Sequence, residues 1–359
     1  MALEGAREDA ERSTGAVALF HLICSAAGFH LCKTEQLPRS KYKFESQALE
    51  HHNLGITHLR NQIQSEDETQ YEAVLASLIM CLLNEAITVY DPFWRLHIQG
   101  AVDWVNHVGL EYWNRSESAR TIYQMFMCMG ILIQSQILPG DRSNHGWFLR
   151  YNPESQPGPY ILDSIFGIPE CILEVICTMN CVQTDARQGN GEARQDQSSP
   201  TYDLDTLELE LFLMVPRRPN LSVTNQKYEQ LLYHHGYAYY YAAILYMKRT
   251  LKGVPLKEVQ NLVKQALQHV EALHNVDTGP SSPSLWPIAI IAFEAQDPLL
   301  QKRMQTSLDA FAKQSRLEVW VKFAESVRGL WARRRQSPGE GNLSWHAYSP
   351  VFYHNYVFI

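Results

Sequence analysis

The sequence predicts an all-α fold of about eleven or twelve helices with no significant sheet. Three observations carry that expectation. Long stretches repeat their apolar residues with the 3.6-residue period of a helix face. No stretch shows a convincing run of the period-two alternation of a half-buried strand. Apolar residues make up 45% and charged residues 19% of the 359 residues, which excludes a disordered or polyelectrolyte chain.

Taken in order, the first twelve residues, MALEGAREDAER, carry more acid than base, so they fit neither a secretory leader nor a transit peptide. Residues 1–14 are expected to be a disordered N-terminus. The most apolar stretch, Ala16 to Cys32, is 17 residues long and broken by His21 and His30. It falls short of the roughly 20 apolar residues of a membrane span and reads as a buried helix. A helix follows from about Tyr42 to Gln64. From Glu66 to Thr88 the apolar positions Tyr71, Val74, Leu75, Leu78, Ile79, Leu82, Leu83 and Ala86 form one wide face. Asp91 offers an N-cap oxygen and Pro92 suits a first helical turn, which starts a helix running to about Val108. Its inner face is Trp94, Ile98, Ala101, Val102 and Val105. Further helices are expected over Arg115–Leu138, Pro169–Val182, Leu204–Met214, Gln226–Lys252, Leu256–Leu273, Leu285–Ala295, Leu299–Lys313 and Leu317–Arg334. Between them, Gln183 to Pro200 holds no large aliphatic or aromatic residue and cannot offset the entropy of ordering its backbone. It reads as a flexible loop over 183–200, inserted in a single helical domain over 15–359. No fixed-period repeat marks a solenoid.

Charge narrows the function. Lysine and arginine total 31 against 38 acids, a net charge of −7. A protein that grips bare nucleic acid by neutralising phosphates normally has the opposite sign, so direct DNA contact is not expected. Seven cysteines without regular spacing do not form a disulfide framework and fit a reducing compartment. Cys171, Cys177 and Cys181 share one expected helix and read as structural thiols, because the spacing of a metal site is lacking. The pairs His51-His52 and His234-His235 point their members in different directions on a helix. The stretch Tyr233 to Tyr246 (YHHGYAYYYAAILY) places six tyrosines in one helix. Tyrosine offers both a stacking face and a hydroxyl, so Tyr237, Tyr241 and His234, with Arg95, are the candidate residues of a small-effector site. A central helix packed on several neighbours explains the tyrosines as well. No phosphate loop, nucleophile elbow, H-E-x-x-H or magnesium-holding acidic helix is present, so no catalytic residue, cofactor or metal is expected. The run Arg333-Arg334-Arg335 ends a helix, where its charge suits the macrodipole.

Several segments together resemble a known family. ALEHHNLGITHLR from Ala48, AVLASLIMCLLNEAI from Ala73 and FWRLHIQGAVDWV from Phe93 resemble the start of the fungal-specific transcription factor domain. Trp94, Arg95, His97, Gly100 and Ala101 occupy its W-R-x-H-x-x-G-A positions. DSIFGIPECILEVI from Asp163 is similar to its short glycine turn leading into a helix. SLWPIAIIAFEA from Ser284 resembles its W-P-x-x-x-x-G-x-E-A helix, with Ala292 or Phe293 where the family has a small residue. GLWARRRQSPGEGNLSWHAY from Gly329 resembles its C-terminal end. The resemblance runs from about residue 15 to the C-terminus.

It implies a regulatory module of fungal transcription factors, located in the nucleus or in nucleus and cytoplasm, acting through protein partners and a small-molecule effector rather than as an enzyme. The six-cysteine zinc cluster that reads DNA in such proteins has no counterpart here, since Cys24 and Cys32 are the only N-terminal pair. An upstream cluster left out of the gene model is one explanation. The alternative from another class is a helical enzyme or small-molecule-binding protein of a fungal biosynthetic pathway. The matched residues are read as packing elements, with Trp94 and Trp286 as apolar anchors and Gly100 at a close helix crossing.

Overall fold

The structure is a computed structural model that describes residues 1–7, 14–35, 37–65, 67–88, 94–136, 149–151, 158–188, 203–217, 226–276, 283–336 and 345, with the side chains of 185–188 left aside. Among these residues the fold is all-α, without strand or sheet, and twelve helices have seven or more residues. Asp91 and Pro92, the C-terminal spacer and most of the expected loop lie outside the described residues. The contacts group the described residues into two compact units, one within Met1–Phe126 and Arg316–Val319, the other within Met127–Ser315 with residues 320–336 and Trp345.

In the first unit, α1 (Ala2–Gly5) is a single turn within the N-terminal stretch, of which residues 8–13 lie outside the described residues. Gly5 is buried, and a Cβ there would meet the carbonyl oxygen of Ala16, so the missing side chain is what lets this turn lie against the next helix. Thr14 caps α2 (Gly15–Thr34) by accepting from the Val17 N–H at 3.2 Å. α2 packs on α3 (Pro38–Ser65) and α4 (Tyr71–Thr88), and α4 on α5 (Trp94–Val108). The close crossing is made by Gly28 and Gly55, where a Cβ would stand 2.9 Å from Ala48 Cβ and 2.7 Å from Leu22 Cγ. Gly100 was expected in that role, yet nothing lies within 4 Å of the position its Cβ would take. Asn84 Nδ2 donates to the Leu22 carbonyl at 3.3 Å, tying α4 to α2 inside the core. The short α6 (Leu110–Trp113) and the start of α7 (Glu117–Gln134) complete the helices of this unit. Both α2 and the Glu68–Thr88 stretch are long and apolar enough to cross a membrane, but 56% of the most apolar 18 residues of each is buried inside the protein, as in core helices.

In the second unit, α8 (Leu162–Ile165) leads into α9 (Glu170–Gln188) through Gly167 at φ +70°. α9 runs past Val182 to Gln188, so the expected loop begins with further helical turns. Ala186, Arg187 and Gln188 are good helix formers and can extend a helix that packing has already nucleated. α10 (Leu204–Leu213) is capped by Asp203, and α11 (Gln226–Tyr246) is the central helix, meeting α9, α12 (Gln260–Asn275) and α13 (Leu285–Phe293). α11 ends in a π-helical turn over Met247–Leu251, where an α-helix to Lys252 was expected. All nine residues of α13 are buried, and α14 (Pro298–Ser315) and α15 (Glu318–Gln336) follow. Trp286 anchors α13, with its Nε1 donating to Ser135 Oγ at 2.6 Å.

α13 ends at a buried charge centre. Glu294 is fully buried, Arg249 Nε lies 2.7 Å and Arg334 Nη2 4.0 Å from its Oε2. Arg249 also donates to the Val254 carbonyl and Arg334 to the Phe293 carbonyl. Arg334 is therefore an interior cation and not part of a solvated helix end, unlike the exposed Arg333 and Arg335 beside it. Trp331 Nε1 donates to the Ala292 carbonyl at 3.0 Å, and the Trp345 ring stacks on Phe293 at 5.2 Å.

Candidate functional site: an aromatic face on α11 and α12

The six tyrosines from Tyr233 to Tyr246 on α11 divide by helical position. Tyr239, Tyr240 and Tyr246 turn into the core, and their hydroxyls have partners there. Tyr239 donates to Ser284 Oγ at 2.6 Å and Tyr240 to the Phe212 carbonyl at 3.2 Å, while the Tyr246 hydroxyl lies 2.9 Å from Gln183 Oε1 and 3.1 Å from Asn180 Oδ1. These three are the packing tyrosines of a central helix. Tyr233, Tyr237 and Tyr241, at i, i+4 and i+8, stay half-buried in a row along one side.

His269 of α12 enters that row. Its ring stacks on Tyr237 with centroids 4.4 Å apart and planes 3° from parallel, and lies 6.1 Å from Tyr233 and 5.8 Å from Tyr241. His234 closes the face, with its Nδ1 3.1 Å from Nδ1 of His269, so that one imidazole donates and the other accepts. His235 takes the opposite direction, as expected for adjacent helical residues, and is buried against the Gly167 turn.

The electrostatics make this face neutral. Burial, then the neighbouring His234, pulls His269 down to about 4, and burial also lowers His234. Burial, then the hydrogen bond with Tyr233, pushes the Tyr237 phenol up to about 12; Tyr241 is raised by burial and by Tyr233. At pH 7 the face offers uncharged rings, phenol O–H groups and one imidazole pair.

Of the residues singled out from the sequence, Tyr237, Tyr241 and His234 are brought together. Arg95 belongs to the other unit, where its guanidinium lies 4.9 Å over the Trp94 ring. Its neighbour His97 stands 3.8 Å from Glu85 Oε1. His269 was not anticipated, although its place beside the buried stripe Val263, Ala266, Leu267, Val270 and Leu273 is a signal that pattern analysis could have used. A second histidine group was missed: His21 of α2 stacks on His58 with planes 2° apart and lies 2.8 Å, Nδ1 to Nδ1, from His51, both on α3. Among the described residues no three histidines, cysteines or acids are arranged to hold a metal ion. All seven cysteines are free thiols, with Cys177 and Cys181 buried on α9 and Cys171 half-buried.

No significant match was found among curated proteins or among solved structures. The profile of one family, described as Fungal specific transcription factor domain, matches residues 3–357, starting earlier than the resemblance in the sequence suggested. That match spans nearly the whole chain, and the protein belongs to the family of the fungal specific transcription factor domain.

Proposed function

We propose that this chain is a regulatory module of fungal transcription, working in the nucleus or shared between nucleus and cytoplasm, which acts through protein partners and answers to a small effector held on the α11–α12 face. The family match over residues 3–357 carries the regulatory part of this reading. The stacked, neutral row of Tyr233, Tyr237, Tyr241, His234 and His269 supports the effector part: such a surface suits an uncharged planar ligand that can stack and exchange hydrogen bonds. A charged ligand would lose hydration there without gaining a counter-charge. The reading needs no metal or cofactor and no direct contact with nucleic acid, which the net charge of −7 disfavours.

A helical enzyme of a biosynthetic pathway would be favoured by an acid or base on this face held close to neutral pH. The imidazoles of His234 and His269 are displaced downward and the phenols of Tyr237 and Tyr241 upward.

The test joins the full chain to a foreign DNA-binding domain and reads a reporter gene across nutrient conditions. Output that changes with conditions, and a Tyr237→Ala variant with native far-UV circular dichroism but no such response, is the expected result. Flat output in every condition refutes the regulatory reading; a Tyr237→Ala variant that responds like the parent refutes the effector face.

A further inference from the structure

The outer side of α10 is an apolar stripe that stands exposed among the described residues of its unit. The helix buries Leu207 and Leu211, which lie on one side. Leu209, Phe212 and Leu213, at i, i+3 and i+4 on the opposite side, are 62%, 38% and 77% exposed, and Val215 just beyond the helix is 49% exposed. Single exposed leucines are ordinary, but a helix normally turns a stripe of this spacing inward.

Carboxylates frame the stripe. On α10 and its cap these are Asp203, Asp205, Glu208 and Glu210; α9 adds Glu170 and Glu174. Of the described cations nearby, Lys248 and Lys252 are drawn to acids at the base of the helix, while the exposed Arg217 follows Val215 at the far end. Lys248 pairs with Glu208, Lys252 with Glu208 and with Asp205 at 2.6 Å. Lys248 Nζ also sits 5.4 Å from the Phe212 ring centroid. The remaining acids feel one another: Glu174 is raised above the ordinary carboxylate range by burial, by Glu170 and by Glu210. The face thus combines protruding large apolar anchors with an excess of negative charge.

We infer that this face of α10 is a docking surface for another protein, and that the partner presents an apolar groove rimmed by lysine and arginine. Anchors at i, i+3 and i+4 are the spacing by which one helix seats in the groove of another protein. The sign of the rim follows from charge complementarity. A second copy meeting face to face would set carboxylate against carboxylate, and nucleic acid or an anionic membrane would be repelled in the same way. The inference rests on the regulatory reading for its setting, since it gives the proposed protein partners a surface, but its chemistry stands on α10 and the acids of α9 beside it.

The experiment places a photo-crosslinking p-benzoylphenylalanine at position 213 of the full chain inside the producing cell and, as a control, at Leu299 of α14, which is 72% exposed. The crosslinked peptides are identified by mass spectrometry. The inference expects an adduct from position 213 and not from 299, to a peptide whose surface carries apolar residues flanked by lysine or arginine. Its yield should fall roughly tenfold or more in a Leu209→Ser/Phe212→Ser background with unchanged circular dichroism, and several-fold with Glu210→Lys. No adduct, equal adducts from both positions, an adduct to this chain itself, or one to an acidic or uncharged surface overturns it. The reporter fusion separates the two readings: a specific adduct with flat reporter output sinks the regulatory reading alone, whereas a responsive reporter without adduct sinks the docking surface alone.

Discussion

Replacing Glu294 by glutamine should be among the most destabilising conservative changes in the chain. The Glu294 side chain has no exposed surface, and those of Arg249 and Arg334 are 2% and 6% exposed. With Glu294 ionised, this interior group carries one surplus positive charge, which the carbonyls of Val254 and Phe293 help to solvate. Glutamine keeps the shape but leaves two guanidinium ions buried without a counter-ion. Removing one partner of a buried pair costs about 3–5 kcal/mol. In a unit of this size each kcal/mol lowers the melting temperature by roughly 2–4 °C, so the expected drop is about 6–20 °C. Differential scanning calorimetry of the full chain at pH 7 measures it, with the exposed Glu210→Gln as control. The double variant Arg249→Met/Glu294→Leu should lose less than the sum of its single changes, because apolar side chains can take over the space of both charges. A Glu294→Gln variant that melts within about 2 °C of the parent would refute the electrostatic account.

Two further outcomes follow from the second unit. Burial, then His234, lowers the buried His235 to about 4 from an ordinary 6.5, so the folded protein holds a neutral ring while the unfolded chain binds a proton more readily. That stabilisation is complete above pH 6.5 and is lost as the pH falls toward 4, amounting to about 3 kcal/mol at about 1.4 kcal/mol per pH unit; a melting series from pH 7 to 4 should be shallower for His235→Gln, and an unchanged slope would contradict it. Gly167→Ala should destabilise by about 1–3 kcal/mol in a denaturant titration, because alanine is strained at φ +70° and its Cβ would stand 2.6 Å from that of His235; a neutral result would show that the turn can relax.

The helices were legible because their physics is local. The face from Tyr71 to Ala86 and the core strip of α5 can be read from spacing alone, and both elements stand where that spacing puts them. What escaped depends on residues far apart in the chain. Nothing local distinguishes Arg334 from Arg333 and Arg335; its burial follows from Glu294, forty residues earlier. The π-helical turn at Met247–Leu251, with Lys252 N–H bonded to the Met247 carbonyl, leaves no trace in the apolar pattern. Gly100 looked like a crossing glycine because it sits in a matched motif, but closeness is a property of two helices, and Gly28 and Gly55 face the neighbours that need it. At the candidate site the tyrosines were visible as a cluster. Their division into core and surface, and the arrival of His269, required knowing which helix lies alongside.

The charge centre at Glu294 bears on how this fold is chosen as well as how firmly it is held. α13 is apolar along its whole length, and greasy helices of that kind can slide by a turn against their neighbours at little energetic cost. Such a slip would carry the carboxylate away from guanidinium groups contributed by positions 249 and 334, stranding three charges in a dry interior. Every misaligned compact state therefore bears a penalty that the correct one escapes, so the ions act as a register mark, sorting one arrangement of interchangeable hydrophobic surfaces from many near-equivalents.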